Sequence, residues 1–398
     1  MDAVQGFLTA GVDCGLRNKP QPDLSIIASE VNCNAAGVFT TNQVKSAHVQ
    51  YDMAILKNDP TKIRAVVVNS KIANVCTGEL GKQNTATMAA LVAEKLGCES
   101  SQVLVMSTGV IGPQLPMDKI SRGIDEAAQS LAPNGWDDAA LGIMTTDTRP
   151  KKASIRCKGY TIAGIAKGSG MIAPNMATML SVLVTDADVS VPVLNDLLRK
   201  AANVSFNRIT VDGDTSTSDT VLFFANGQSG KKIESEDDVA AFESALTELC
   251  QHLAGEIVRD GEGATKFITI EVEGAPDDHA AWQIANTIAC SPLVKTAFAG
   301  SDANWGRIMA AAGRAGVEFD QMKANLWFDC GANGMTENAL QVFKNGMPTD
   351  YEENDAAAIF AAPDISVKLQ LDEGSGTCVV WTCDLSHEYV SINADYRT

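Results

Sequence analysis

Thr178 is the residue whose surroundings offer the most unusual chemistry. It follows a glycine-containing loop at 168–175 and precedes the apolar run 179–184. A short apolar run bounded by polar residues is typical of a buried strand, so Thr178 is expected at the mouth of one. A threonine hydroxyl placed there can attack the carbonyl of Ala177 and shift the acyl group from nitrogen to oxygen. Water then cuts the chain, and the new N-terminal threonine carries a nucleophilic hydroxyl and an amine that serves as its base.

The residue types around Thr178 also allow a purely structural role. Ala-Thr pairs are common, and glycine-rich loops usually only connect elements. The whole string KGSGMIAPNMATML, however, closely resembles the self-cleavage site of the ornithine acetyltransferase (glutamate N-acetyltransferase) family of arginine biosynthesis. In that family the threonine of the Ala-Thr-Met-Leu element is both the cleavage residue and the nucleophile that carries the acyl group. The resemblance gives both roles to Thr178, with cleavage after Ala177.

A second candidate element is STGVIG at 107–112, which follows the predicted strand 102–106. A Thr-Gly turn at a strand end presents a hydroxyl and backbone N–H groups, the donor types that stabilise an oxyanion. A solvated turn would explain the same residues. The family's oxyanion hole is a Thr-Gly pair in a similar element, which implies that Thr108 and Gly109 form it here.

Further motifs imply substrate-binding residues. On their own, each of these side chains would be read as an ordinary loop, surface or terminal residue. The family's T-T-D element implies a substrate contact by Thr145, and the lysine that opens its glycine-rich loop implies that Lys167 binds a carboxylate. The D-G-E-G-A-T-K element implies that Glu262 binds an amine, and the final N-A-x-Y-x-[S/T] run implies contacts from Asn393 and Thr398. Thr178 itself also touches substrate in this scheme.

The resemblance extends over nearly the whole chain. Similar elements are GVFTTN from 37, NS-x-x-AN-x-x-TG at 69–78 and DANWGR at 302–307. The DGDTSTSD run at 212–219 departs from the family pattern by Ser218 in place of asparagine. Two other motifs are rejected: 78–82 lacks the spacing of a phosphate loop, and the run from Asp212 lacks the glycine and glutamate of a calcium loop.

Composition excludes several classes of protein. The 398 residues carry a formal net charge of −18, so an anionic nucleic acid or membrane surface is not an expected partner. Ten cysteines occur without a C-x-x-C pair or zinc-site spacing, which favours reduced thiols in a cytoplasmic protein. The N-terminus has no basic region typical of a signal peptide, and no apolar run is long enough to span a membrane. None of the four histidines lies beside a serine or cysteine elbow, which favours a nucleophile that needs no histidine.

Hydrophobic periodicity predicts alternating strands and helices that share one core. The predicted strands are several short ones within 24–50 with a turn at Gly37, then 64–68, 102–106, a pair within 153–166, 179–184, 220–225, 267–272 and 294–298. The predicted helices are 84–96, 116–131, 192–204, 235–258 and 280–290, with another opening at 302–307. The remainder of the chain is predicted to be rich in strands.

The family resemblance makes this α/β (α+β) pattern more specific. It implies an α-β-β-α sandwich built jointly from an N-terminal chain, 1–177, and a C-terminal chain, 178–398, assembled as a heterotetramer of two copies of each. The implied reaction is ping-pong transfer of acetyl from N-acetylornithine to glutamate through acetyl-Thr178, without a metal or organic cofactor. Some members of the family also accept acetyl-CoA, and the sequence leaves open whether this one does.

Two alternatives remain at this stage. A self-processing N-terminal threonine amidohydrolase or aminopeptidase would use the same nucleophile and pass the acyl group to water. A binding protein that has kept the fold without the activity is disfavoured, because every expected site residue is present.

Overall fold

The structure is a computed structural model that describes residues 1–173, 179–332 and 334–395. The predicted residues Ala177, Thr178 and Thr398 lie outside the described residues. The described strands are β1 (Phe7–Val12), β2 (Leu24–Phe39), β3 (Ile63–Asn69), β4 (Val103–Ser107), β5 (Lys151–Cys157), β6 (Tyr160–Lys167), β7 (Leu180–Thr185), β8 (Ile209–Thr210), β9 (Thr220–Ala225), β10 (Phe267–Ala275), β11 (Asn325–Cys330), β12 (Leu340–Lys344), β13 (Met347–Pro348), β14 (Asp364–Gln370) and β15 (Gly376–Cys383). The described helices are α1 (Ala47–Asn58), α2 (Gly78–Leu96), α3 (Met117–Gln129), α4 (Trp136–Gly142), α5 (Val191–Asn203), α6 (Glu236–Arg259), α7 (Asp278–Ala289), α8 (Pro292–Ala299), α9 (Trp305–Gly313), α10 (Glu353–Phe360) and α11 (His387–Ala394).

The chain divides into two compact units. The first contains Met1–Asn207 and Asp214–Ile257, and the second contains Arg208–Gly213 and Val258–Thr398. Each unit has its own sheet and its own buried apolar core. The mixed α/β class predicted from the sequence is confirmed. The predicted division after Ala177 is a different one, because β7, α5 and β9 all belong to the first unit.

The sheet of the first unit has eight strands. Seven run in the order β4-β3-β2-β9-β7-β6-β5, and β1 pairs with the first half of β2. β2 is long enough to pair with different strands along its length: residues 24–28 pair with β3, and residues 34–39 pair with β9. β7 pairs antiparallel with β6 and parallel with β9, so strands on both sides of residue 178 share one hydrogen-bonded sheet.

Both faces of this sheet are buried. On β3, Ala65 and Val67 belong to one core cluster while Val66 and Val68 belong to the other, as the alternation of side chains along a strand requires. Helices α2 and α3 supply apolar side chains to the first cluster, and α4 supplies Trp136 to the second. A sheet covered on both faces reads as continuous apolar runs, which is why 64–68 and 102–106 were recognisable.

The second unit is built on a seven-stranded sheet in the order β13-β12-β11-β14-β10-β15-β8. Its core joins Ile268 and Ile270 of β10 to the apolar faces of α7 and α8, with Phe298 stacked on Phe360 at 5.1 Å between ring centroids. No helix in the described ranges is long and apolar enough to cross a membrane.

Three predicted elements were wrong or incomplete. Residues 294–298 form part of helix α8 instead of a strand, because Pro292 occupies its first turn and Val294 and Phe298, four residues apart, bury one face. Residues 24–50 form one long strand followed by helix α1, whose Ser46 cap accepts a hydrogen bond from the N–H of Val49. The strand-rich C-terminal part also contains α10 and α11, and Asn393 lies on the latter.

Candidate active site

The Thr108-Gly109 turn follows directly on the buried strand β4. The N–H of Thr108 donates to the carbonyl of Asn69 at 3.1 Å, which continues the pairing of β4 with β3 by one residue. The side chain of Thr108 is buried and accepts a hydrogen bond at 3.3 Å from the Nζ of Lys167. Neither the Thr108 hydroxyl hydrogen nor the Gly109 N–H has an acceptor among the residues that the structure describes. Two donors are therefore available at one turn.

Gly109 is required by the close approach of another backbone. Its φ is +132°, and a Cβ at this position would lie 2.1 Å from the carbonyl carbon of Lys71. On the other side of the turn, the N–H of Val110 donates to the carbonyl of Lys71 at 2.9 Å. The loop 69–78 thus lies directly against the turn and fixes the direction of its N–H groups.

The loop 69–78 is itself strained. Lys71, Asn74 and Cys76 all have positive φ, at 74°, 53° and 57°. Non-glycine residues seldom adopt this left-handed region, and three within six residues mark a conformation that its surroundings impose. Part of the support comes from Asn74, whose amide donates to the carbonyl of Gly81 and to the hydroxyl of Thr85 at the start of α2.

Helix α1 fixes β4 from its other side. The outward-facing N–H of Val105 donates to the carboxyl of Asp52 at 2.9 Å, and that of Ser107 donates to Nδ1 of His48 at 3.3 Å. His48 and Asp52 are four residues apart and therefore lie on the same side of α1. Together they take the place of a neighbouring strand along β4 as far as the residue that precedes Thr108.

His48 is held as a neutral ring. Burial lowers the pKa of the imidazole to about 3, against a smaller opposing effect of its hydrogen bond to the carbonyl of Ser218. A carbonyl only accepts, so the Nε2 at 3.2 Å from that oxygen carries the hydrogen and Nδ1 accepts. His48 consequently connects the strand before Thr108 to the segment 215–219.

The segment 215–219 runs beside the chain that follows Thr178. Its neighbour Thr220 donates from its N–H to the carbonyl of Met179 at 3.1 Å, and the segment also contacts residues 40–46. Those contacts include the Thr40 hydroxyl on the carbonyl of Ser216 at 2.7 Å. The last four residues of the polar DGDTSTSD run, 216–219, are thus a buried connection between the two elements of the predicted chemistry.

Asp147 organises the loops that contain Thr145 and Lys167. Its carboxylate accepts hydrogen bonds from the N–H of Thr145 at 2.9 Å, the N–H of Gly168 at 2.7 Å and the Nζ of Lys151 at 2.7 Å. Burial alone would raise the pKa of Asp147. The positive charges of Lys151 and Lys167 and these hydrogen bonds outweigh that effect and lower it to about 2. The carboxylate is therefore ionised and ties the T-T-D turn to the start of the glycine-rich loop.

The second unit holds another group of predicted residues. Glu262 is buried, and its Oε2 accepts a hydrogen bond at 2.7 Å from the side-chain amide of Asn393 on α11. Gly263 has a φ of +70°, and a Cβ there would lie 2.5 Å from the N–H nitrogen of Tyr389. The glutamate loop and α11 are therefore interlocked.

The same loop is anchored by Asp384. Its carboxylate accepts from the N–H and the hydroxyl of Thr265 at 2.7 and 2.6 Å, and from the N–H of Lys266 at 2.9 Å. The Nζ of Lys266 donates to the carbonyl of Phe298 at 2.7 Å and to that of Phe360, the ends of α8 and α10. The lysine of the D-G-E-G-A-T-K element is thus a structural anchor.

Comparison with known proteins identifies the family. The model of the ArgJ family matches residues 8–398. An arginine biosynthesis bifunctional protein ArgJ from Thermotoga neapolitana is 48% identical, over 99% of this chain and 99% of that protein. One of the same name from Synechocystis sp. is 45% identical, over 100% and 97%. A solved arginine biosynthesis bifunctional protein argJ from Bacillus halodurans is 42% identical, with a TM-score of 0.51 over 55% of this chain and 99% of the solved chain.

The chain belongs to the ArgJ family.

The family predicted from the sequence is confirmed. The structure brings Thr108, Gly109 and Lys167 together in the first unit, with Thr145 joined to them through Asp147. It places Glu262 and Asn393 in contact in the second unit. The catalytic and binding roles of these residues remain predictions.

Sequence reasoning missed the residues that hold the ArgJ site elements in place. These are His48, Asp52, Asp147 and Asp384, all buried polar side chains that accept backbone N–H groups. Asp147 could have been found, since it ends the T-T-D element. Asp384 accepts a hydrogen bond from Thr265, which is 119 positions away in the chain, and a contact at that separation cannot be predicted from a local sequence pattern.

Proposed function

We propose that this ArgJ family member transfers the acetyl group of N-acetylornithine to glutamate in arginine biosynthesis, with Thr178 as the acyl carrier. The observation that carries the proposal is the turn at Thr108 and Gly109, where a hydroxyl and a backbone N–H are both unused among the described residues and Lys167 lies at 3.3 Å. A hydroxyl that accepts from an ammonium group keeps its own hydrogen to donate. The turn therefore has the donors that a tetrahedral oxyanion requires.

The proposed reaction has two symmetrical halves. The hydroxyl oxygen of Thr178 attacks the acetyl carbonyl of the donor, its proton passes to the Thr178 amine, and the carbonyl oxygen becomes an oxyanion that Thr108 and Gly109 stabilise. As the C–N bond breaks, the amine returns that proton to the departing nitrogen and ornithine leaves. The amine of glutamate then attacks acetyl-Thr178, and the same steps in reverse release N-acetylglutamate and restore the hydroxyl.

The other predicted residues bind the ends of the amino acid. We assign the carboxylate to Lys167 and Thr145, which share Asp147, and the amine to Glu262, with Asn393 and Thr398 as further substrate contacts. The hydrogen bond from Asn393 to Glu262 supports a joint role, because it orients one carboxylate oxygen of Glu262. The word "bifunctional" in the relatives' names agrees with acetyl-CoA as a second donor.

Self-cleavage at Ala177/Thr178 belongs to the same proposal. Two observations support it. β6 and β7 are antiparallel neighbours with Lys167 opposite Leu180, so both pieces would remain hydrogen-bonded in one sheet after cleavage. The solved Bacillus halodurans chain covers 55% of this chain, close to the share of residues 178–398. We propose that 1–177 and 178–398 jointly build an α-β-β-α sandwich in the cytoplasm and assemble as two copies of each.

A single assay tests the reaction. The purified protein is incubated with N-acetylornithine, with and without glutamate, and ornithine and N-acetylglutamate are measured. Acetyl transfer requires glutamate for sustained ornithine release and gives N-acetylglutamate in equal amount. Sustained release without glutamate would instead show a hydrolase, and no release would contradict both. Repeating the assay with acetyl-CoA and glutamate determines whether acetyl-CoA is a donor.

A further inference from the structure

Two cationic residues are close to the Gly109 turn: the backbone of Lys71 lies directly against it, and the side chain of Arg17 contacts the residue before Lys71. The Nη2 of Arg17 is 3.5 Å from the hydroxyl of Ser70, the residue before Lys71, and it also donates to the carbonyl of Met144. Neither Arg17 nor Lys71 forms a salt bridge with any residue that the structure describes. The guanidinium of Arg17 thus connects the loop beside the oxyanion turn to the residue that precedes Thr145.

Both groups retain unused donors. The Nε of Arg17 is buried without a hydrogen-bond acceptor in the described part of the chain, and the ammonium group of Lys71 has no hydrogen-bond acceptor there either. A buried guanidinium donor without an acceptor is costly, and a carboxylate is the group that its planar fork of N–H donors fits best.

Lys71 is held in an unfavourable conformation. Its φ of 74° is in the left-handed region, where glycine would avoid the clash between Cβ and backbone. Strained non-glycine residues concentrate at functional sites. Lys71 is half-buried, its backbone lies against Gly109, and it forms no salt bridge with any described residue, so its strain and its charge together point to an anionic ligand.

We propose that Arg17 and Lys71 form a second anion site, which binds the side-chain carboxylate of the acceptor amino acid. This inference rests on the proposed function. Glutamate has two carboxylates, and Lys167 accounts for only one of them. The donor N-acetylornithine has an amine at the end of its side chain, so a site of two cations would distinguish acceptor from donor. Burial lowers the pKa of both groups. For Lys71 the charge of Arg17 lowers it further, whereas for Arg17 the charges of Asp23, Asp147 and Asp13 oppose the effect of burial.

The decisive experiment compares glutamate with glutamine as acceptors in the Lys71→Gly variant. This change removes the charge and also the backbone strain, and the relief of strain offsets the entropic cost of a glycine in the unfolded chain. Cys76→Gly is the matched control, since it relieves the same kind of strain in the same loop without removing a cation. Arg17→Gln provides the second charge deletion. Each variant is assayed for kcat/KM with glutamate, with glutamine and with acetyl-CoA.

We expect Lys71→Gly to lower kcat/KM for glutamate by about 10- to 100-fold, the usual effect of losing one charge-assisted contact, mainly through KM. The preference for glutamate over glutamine should fall by a similar factor, and Cys76→Gly should keep it. An unchanged preference in both charge-deleted variants would overturn the proposal. A loss confined to acetyl-CoA would overturn it too, by assigning the cations to phosphate. Absence of wild-type transfer to glutamate would instead refute the proposed function itself.

Discussion

At the scale of single residues, the proposed oxyanion turn depends on one hydroxyl and one glycine. Thr108 follows β4 without a break, and the neighbouring loop carbonyl at Lys71 leaves no room for a side chain at 109. The chemistry can therefore be tested by single substitutions at these two positions.

Thr108→Ala removes the proposed hydroxyl donor and leaves the Gly109 N–H in place. We expect kcat to fall by about 10²- to 10³-fold with little change in KM, as for other single oxyanion donors. Thr108→Ser, which keeps the hydroxyl, should retain most of the activity. A change confined to KM would make Thr108 a binding residue instead.

Gly109→Ala should damage both folding and activity. The new Cβ would lie 2.1 to 2.5 Å from backbone atoms of Lys71 and Ile72, in addition to the unfavourable φ. Gly112→Ala is the matched control, because Gly112 also has a positive φ, 107°, but no atom lies within 4 Å of its ideal Cβ. Thermal unfolding should show a clearly larger drop in Tm for Gly109→Ala. Equal drops would mean that backbone strain, not the contact with Lys71, requires glycine.

The sequence revealed the residues of this turn but not what restrains it. A Thr-Gly pair after an apolar run is a recognisable sequence pattern. The positive φ of Lys71, Asn74 and Cys76, in contrast, cannot be predicted from the types of these residues. Such strain arises from contacts with Val110 and with α2, which are tertiary. Periodicity cannot report contacts of that kind.

At the scale of elements, α1 is the clearest addition that the structure makes. Residues 47–58 contain too weak an apolar stripe to be recognised as a helix, because two of the buried positions are the polar residues His48 and Asp52. The same two residues accept the N–H groups of Ser107 and Val105. The polar character of His48 and Asp52 thus explains both why α1 was not predicted and how it holds β4.

His48 and Asp52 are expected to change the stability of the folded protein in opposite directions as the pH changes. For His48 the folded pKa, about 3, is below the ordinary value of 6.5, so its contribution is complete above pH 6.5 and is lost as the pH falls toward 3. Burial raises the pKa of Asp52 well above its usual range, against a smaller effect of the Val105 N–H. Its contribution is therefore complete below pH 3.8 and is lost as the pH rises through the folded pKa.

Urea unfolding at several pH values measures both effects. His48→Gln should remove part of the loss of stability between pH 6.5 and 3. Asp52→Asn, which keeps an acceptor for Val105, should become more favourable relative to wild type as the pH rises from 4 to 8. Parallel pH profiles for wild type and both variants would show that neither group titrates differently in the folded state.

A second prediction at the scale of elements concerns the contribution of helix α11 to substrate binding. Asn393→Ala removes the hydrogen bond to Glu262 and should raise KM for N-acetylornithine by about 10-fold, the cost of a lost bond to a charged group. Ser391→Ala on the same helix is the control, since among the described residues its hydroxyl donates to the carbonyl of His387 within α11 and to no other group. Self-cleavage should be normal in both variants. Unchanged kinetics in Asn393→Ala would show that α11 does not help to bind the substrate.

At the scale of the whole molecule, the two compact units do not coincide with the two proposed chains. The first unit takes β7, β9 and most of α6 from the C-terminal piece. The sequence could not show this, because β7 resembles any buried strand and its partners β6 and β9 are chosen by long-range pairing. Cleavage after Ala177 would therefore leave the sheet of the first unit intact.

This arrangement predicts how the purified protein behaves. Denaturing electrophoresis should show two bands, and the larger fragment should begin with Thr-Met-Leu-Ser. Native chromatography should keep both fragments together through the shared sheet. Thr178→Ala should give one uncut and inactive chain with the same native fold by circular dichroism. Full activity in a wild-type preparation that contains only uncut chains would contradict the proposed nucleophile.

The position of α1 along β4 has a consequence for the protein in a crowded solution. β4 is the last strand on its side of the sheet, and an uncovered outer strand offers a row of N–H and C=O groups onto which another polypeptide can add. His48 and Asp52 occupy two of those N–H groups, and the carbonyl of Ser100 occupies that of Val103. The contacts of His48 and Asp52 that hold β4 in place before Thr108 also prevent a strand of another molecule from adding to this edge of the sheet. Loss of α1 would therefore cause aggregation as well as displacement of the Thr108-Gly109 turn.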